Sequence, residues 1–126
     1  MHRDFYMTPF EAGMTVRLKN IQFNFGKTSL HPDSFDELNT VAEMLTDNPT
    51  LQLEIGGHTD NEGPEDYNLI LSQGRAQAVV DYLISQGAKG SQLAAKGYGE
   101  SKPINPAETK EAKAMNRRVE FTILKN

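Results

Sequence analysis

Leu51-Gln52-Leu53-Glu54-Ile55-Gly56-Gly57-His58-Thr59-Asp60 is the stretch from which the fold is read. Leu51, Leu53 and Ile55 alternate with Gln52 and Glu54, the period of a half-buried strand, and Gly56-Gly57 leads into a loop that carries Asp60. Asn61 to Pro64 reads as loop. A longer helix then places Leu69, Ala76, Val79, Val80 and Leu83 on one face and stops at Gly87, a natural left-handed C-terminal residue. Ser72 is read as a cap or kink, which puts Arg75 in the first turn of the main helical run. A short strand near Leu93 to Gly97 follows, so the centre of the chain is strand, helix, strand.

Outward from this unit the pattern continues. Upstream, Val16 and Leu18 alternate in one phase and Ile21, Phe23 and Phe25 in the other, as two strand patterns joined by a bulge near Lys19 and Asn20 would. Phe35, Leu38, Val41, Ala42 and Leu45 recur at helical spacing after Pro32-Asp33-Ser34, and Asn48-Pro49 ends that element. Downstream, Gly97-Tyr98-Gly99 reads as a tight turn. A polar loop with Pro103 and Pro106 leads to a last strand in which Val119, Phe121 and Ile123 alternate. The order predicts an α/β sandwich, a βαβαββ-type mixed sheet with helices packed on one face and right-handed crossovers between parallel neighbours.

Length and composition bound the function. The 126 residues fit one domain with a core of its own, residues 15–126, preceded by an N-terminal arm or linker remnant over residues 1–14. With no cysteine there is neither a disulfide framework nor a thiolate metal site. A net charge of -4 argues against nucleic acid, whose affinity rests on Lys and Arg neutralising phosphates. No apolar run approaches the ~18 residues of a membrane span, and the first twenty residues lack a signal pattern.

In sheets of this kind ligands gather beyond the carboxyl ends of strands. Asp60 stands there, and Arg75 follows fifteen residues later. One reading is a clamp for a zwitterion, the carboxylate holding an ammonium and the guanidinium holding a carboxylate through two parallel hydrogen bonds, aided by the positive end of the helix dipole. The other is that Asp60 and Arg75 pair with each other at the surface. A hydrolase using His58 as base and Ser72 as nucleophile is disfavoured, because there is no G-x-S-x-G elbow and Ser72 falls at the helix-cap position that serines commonly occupy. His58 is read instead as a strand-end residue bonding to backbone. Asn116-Arg117-Arg118 places two cations at the entry of the last strand, either on a solvated edge or with one facing the clamp and its neighbour facing away.

Ile55 to Gly63 (IGGHTDNEG), Asn68 to Ala76 (NLILSQGRA), Gly97 to Pro103 (GYGESKP) and Asn116 to Phe121 (NRRVEF), with Ile21 to Lys27 ahead of them, closely resemble the OmpA-like peptidoglycan-binding domain. The resemblance runs from about Val16 to Leu124. It implies a module with no catalytic step, cofactor or metal, which binds the meso-diaminopimelate residue of peptidoglycan stem peptides without a covalent bond. It further implies the periplasm, with attachment to the outer membrane through a parent protein whose membrane-associated segment lies outside this chain. The family pattern assigns the ammonium and carboxylate to Asp60 and Arg75, adds Asn68 and Arg117, and makes Thr59, Asn61, Phe25 and Gly26 pocket wall. Two departures fall at the rim: Glu111-Ala112-Lys113 stands where many relatives carry a glycine and an arginine, and Phe25-Gly26 replaces more polar pairs. The alternative is a protein-protein adaptor on the same fold that no longer binds wall.

Overall fold

The computed structural model describes residues 11–19, 21–23 and 28–126. Four strands, β1 (Thr15–Leu18), β2 (Gln52–His58), β3 (Leu93–Gly99) and β4 (Arg118–Lys125), form one sheet in the order β1-β4-β2-β3. β4 is antiparallel to both β1 and β2, and β2 is parallel to β3. The helices are α1 (Phe35–Asp47), α2 (Glu65–Ser85) and α3 (Lys110–Asn116). The expected mixed sheet is observed, with α3 added ahead of the last strand.

One face of the sheet makes the core. Leu53 and Ile55 of β2 and Val119, Phe121 and Ile123 of β4 point toward α1 and α2, whose Leu38, Val41, Met44, Leu45, Ala76, Val79 and Leu83 are buried against them. The period of two in the strands and of about 3.6 in α1 is what brings these residues to one side. α1 begins after a single 3₁₀ turn at Pro32–Ser34 and ends where Asn48 bonds back to Leu45 and Met44, ahead of Pro49. Ser34 is buried and both donates to and accepts from the backbone of Gln22, fastening residues 21–23 to the start of the helix.

Several local expectations are corrected. The Ile21 and Phe23 alternation is not a second sheet strand: Phe23 makes an isolated antiparallel bridge to Leu30. The reason is that β1 pairs with β4 only as far as Leu18 and Val119, beyond which β4 has reached its start at Arg118. Asn20, at the expected bulge, and Phe25 lie outside the described residues. β2 runs through Gly56 and Gly57 to end on His58, the strand-end position expected of it, whereas Gly97-Tyr98-Gly99 is the end of β3 rather than a tight turn. α2 starts at Glu65 and runs unbroken through Ser72, so Ser72 is no cap and Leu69 is not part of the buried face.

The buried face of α2 is polar in its first half for a structural reason. A Cβ on Gly57 would lie 2.4 Å from the Ser72 carbonyl oxygen, and one on Gly97 would lie 2.3 Å from the Gln73 amide nitrogen. The helix backbone therefore sits directly on the sheet, too close for aliphatic side chains between them. Asn68 and Ser72 are buried there instead. The Ser72 hydroxyl accepts from the Gly99 amide at 2.9 Å and donates to the Leu69 carbonyl, while Gln73 bonds Gly97 and Ala95 along β3. α3 escaped the sequence reading because only two of its seven residues, Ala112 and Asn116, are buried; its start is the Thr109 hydroxyl accepting from the Ala112 amide.

Candidate functional site

A cleft of about 750 Å³ opens beyond the carboxyl end of β2, between the 21–23 segment, α2 and the start of β4. Thr59, Asp60, Asn68, Arg75 and Arg117 all line it, so five of the eight residues singled out by sequence come together. Asn61 does not. Its side chain turns to Glu108 at 2.9 Å and borders a neighbouring hollow of about 260 Å³ that shares Thr59 and Asp60. Phe25 and Gly26 lie outside the described residues.

The Asp60 loop is held from several directions. Thr59 donates its amide to Gly99 and its hydroxyl to the Asp60 carbonyl, extending the β2–β3 pairing by one residue. Asp60 Oδ1 accepts from the Glu62 amide at 2.9 Å, a local side-chain turn of the kind aspartate favours. Asn68 Nδ2 donates to the Glu62 carbonyl at 2.9 Å and to Glu100 Oε1 at 3.0 Å, so this residue supports the loop. On the outer side Lys113 Nζ reaches Glu62 Oε2 at 3.2 Å and Glu108 Oε1 at 3.7 Å. The rim departure noted in the sequence thus becomes a lysine clasp tying α3 to the loop.

Among the described residues Asp60 forms an ion pair with Arg117, whose Nη1 lies 2.5 Å from Oδ2. Neither sequence reading of Asp60 anticipated this partner. Arg75 sits in the third turn of α2, with its guanidinium carbon 4.8 Å from the centre of the Phe23 ring. It is therefore remote from the positive end of the α2 dipole, where Glu65 and Asp66 stand, and the expected contribution of the helix N-terminus to a ligand carboxylate at Arg75 is withdrawn. Burial lowers the Arg75 pKa, as does the charge of Arg117, while Tyr67 opposes the shift; the guanidinium stays charged. Tyr67, Leu71 and Phe23 supply apolar wall that the sequence reading passed over. The clue available was the tyrosine placed one residue before Asn68.

The arginine pair resolves as opposite-facing neighbours. Arg118 is turned from Asp60: Nε donates to Glu120 at 2.8 Å, and its terminal nitrogens donate to the Asn116 and Lys102 carbonyls. His58 stands in the same charged layer, on the sheet face away from α2. It stacks on Tyr98 with centroids 5.0 Å apart, and Nε2 is 3.4 Å from Glu120 Oε1; the side-chain partner replaces the backbone one expected. Ser72 packs on the α2 side of β2, so His58 and Ser72 are not a catalytic pair. Tyr98 donates to Glu54 at 2.6 Å, which with burial pushes its pKa up to about 12.

Burial and the neighbouring Arg118 push the His58 pKa down to about 4, Glu120 acting in the opposite sense. Its ordinary value is 6.5, so as pH falls the unfolded chain takes up this proton first. Stability should therefore decline between about pH 6.5 and pH 4 from this residue. Urea midpoints measured across that window should fall more steeply for the wild type than for His58→Asn. Parallel curves would show that the native imidazole titrates normally.

The fold and cleft together define an α/β binding domain with charged groups gathered at one end of its sheet. The OmpA family model matches residues 22–117, and the chain belongs to the OmpA family. It is 38% identical over 113 residues to outer membrane porin F of Pseudomonas fluorescens, covering 89% of this chain and 35% of that protein. It is 41% identical over 103 residues to the peptidoglycan-binding protein ArfA of Mycobacterium tuberculosis, covering 82% of this chain and 32% of that one. The chain spans about a third of the length of these relatives. The crystal structure of the peptidoglycan-associated lipoprotein from Burkholderia pseudomallei superposes with a TM-score of 0.73 at 29% identity, over 84% of this chain and 88% of that one. The family is one of non-enzymatic domains. No helix among the described residues is long and apolar enough to cross a membrane.

Proposed function

We propose that residues 15–126 form a peptidoglycan-binding module, residues 1–14 serving as an arm or linker, and that the cleft takes the diaminopimelate residue of a stem peptide. The observation that carries this reading is the meeting of Asp60, Arg75 and Arg117, from three separate elements, in one cleft of a domain whose relative ArfA is named for peptidoglycan binding. Asp60 would take the ammonium and Arg75 the carboxylate through two parallel hydrogen bonds. Thr59 and Asn68 keep the Asp60 loop in place, and Phe25 and Gly26 are assigned to the wall of the pocket. The module works in the periplasm and anchors a parent protein, itself held at the outer membrane by a segment outside this chain.

Discrimination follows from the charges. A lysine-type stem peptide keeps an amine and lacks the extra carboxylate, leaving Arg75 without its two-point partner in a partly desolvated site, at a cost on the order of 2 to 5 kcal/mol. A small zwitterion offers few atoms, so a single contact should be modest in affinity; tethering to the membrane and many copies supply the durability. Exchange at each site is fast while the envelope stays attached.

An NMR titration of labelled protein with a diaminopimelate stem peptide, and with the lysine-type peptide as control, tests this. Shifts at Asp60, Asn68, Arg75 and Arg117 with the first ligand alone are expected. Silence with both peptides would overturn the reading and bring the protein-protein adaptor forward.

A further inference from the structure

The cleft holds more positive charge than a zwitterion requires. Three arginines and two acids are among the described residues lining it, in a chain of net charge -4. Two of these five are engaged with groups outside the cleft: Arg118 with Glu120 and two carbonyls, and Glu62 with Lys113. Asp60 and Arg117 are paired with each other inside the cleft, and Arg75 stands on the same wall. The Arg117 charge acts on Arg75 in the sense expected of two like charges sharing one space.

Asp60 and Arg117 are unequal partners. The Asp60 side chain is only 10% exposed and both its oxygens are in use, Oδ1 by the Glu62 amide and Oδ2 by Arg117. Arg117 is 51% exposed, on a long side chain at the C-terminal cap of α3. A ligand ammonium that approaches Asp60 meets Oδ2 where Arg117 already stands, and two cations on one carboxylate oxygen repel each other. The exposed, flexible member is the one that can leave.

We propose that the ammonium replaces Arg117 on Asp60 and that Arg117 turns to a second carboxylate of the ligand, so that the cleft selects stem peptides with one ammonium and two carboxylates. This rests on the diaminopimelate reading and gives Arg117, already placed in the cleft, a part in specificity through its exchange with the ammonium. Within a stem peptide the second carboxylate comes from one of two places next to the clamp: the α-carboxylate of the γ-linked glutamate that precedes the diamino acid, or the chain terminus where the diamino acid is last. Arg75 keeps the side-chain carboxylate in either case.

Calorimetric titration with the tripeptide L-alanyl-γ-D-glutamyl-meso-diaminopimelate tests this, alongside its glutamate α-amide, its terminal α-amide and the double amide. In the wild type one single amide and the double amide should bind about tenfold or more weakly than the parent, the loss of a charge-assisted hydrogen bond, and the sensitive position names the source. Arg117→Gln should bind the four peptides alike, and in labelled wild-type protein the Arg117 Nε signal should move with the parent and stay with the double amide. Wild-type affinities within about threefold across the panel, or an Arg117 signal indifferent to amidation, overturn the exchange while leaving the diaminopimelate reading intact. Binding of none of the four overturns both.

Discussion

Asp60→Ala and Arg75→Ala are each expected to abolish retention on insoluble diaminopimelate-type peptidoglycan while leaving the domain folded. Truncating one member of a desolvated charged contact costs on the order of 2 to 5 kcal/mol, roughly thirty- to several-thousand-fold in affinity. From a modest starting affinity, either loss carries binding below what a pull-down detects. The cost to the fold is smaller. Asp60→Ala gives up an ion pair whose partner is half exposed, worth about 1 kcal/mol or less, and the local bond to the Glu62 amide, worth about as much. The loop keeps its Thr59 and Asn68 attachments. Arg75→Ala leaves the Phe23 ring uncovered and leaves Ala76 and Val79 buried as before. Lys96→Ala, on the opposite sheet face over the Tyr98 ring, is the control that should retain binding. Retention by both site variants with unchanged circular dichroism would remove the clamp from consideration.

Those two residues illustrate what the sequence reveals and what it withholds. Leu53 and Ile55, or Val119, Phe121 and Ile123, declare their strands because one buried face imposes a period of two on neighbouring residues. α1 is as plain, since its buried side is aliphatic throughout. The first half of α2 is not. Asn68 and Ser72 are buried against an acidic loop and the glycines of β2 and β3, with hydrogen-bond partners such as Glu62 and Gly99 lying 6 and 27 residues away, so no local period marks them. That distance is also why the sequence points to a helix start near Arg75, whereas the residue lies in the third turn. The membership of Asp60, Asn68, Arg75 and Arg117 in one site was carried by the family resemblance. The pairing of Asp60 with Arg117, 57 residues on, required the sheet order that sets β4 beside β2.

The close seating of α2 on the sheet has its own large consequence. Gly97→Ala should destabilise the domain by about 3 kcal/mol or more, lowering Tm by roughly 10 °C, because the added methyl meets helix backbone rather than a side chain that can swing away. Its Cβ would lie 2.3 Å from Gln73 N, 2.7 Å from Gln73 Cα and 2.6 Å from Ser72 Oγ. Only a shift of the helix relieves all three. That shift would stretch the Gly99 to Ser72 bond and the two Gln73 bonds to β3, and it would carry Asn68 and Arg75 with it. Weaker binding of stem peptide should therefore accompany the loss of stability, although residue 97 lines neither the cleft nor the hollow beside it. Gly90→Ala is the matched control: the nearest atom to its Cβ is Ile84 Cδ1 at 4.0 Å, so calorimetry should find its Tm close to that of the wild type. Equal melting temperatures for the two variants would mean that α2 stands farther from β3 than these contacts require, and that the glycines at the ends of β2 and β3 serve some purpose other than seating the helix that bears Arg75.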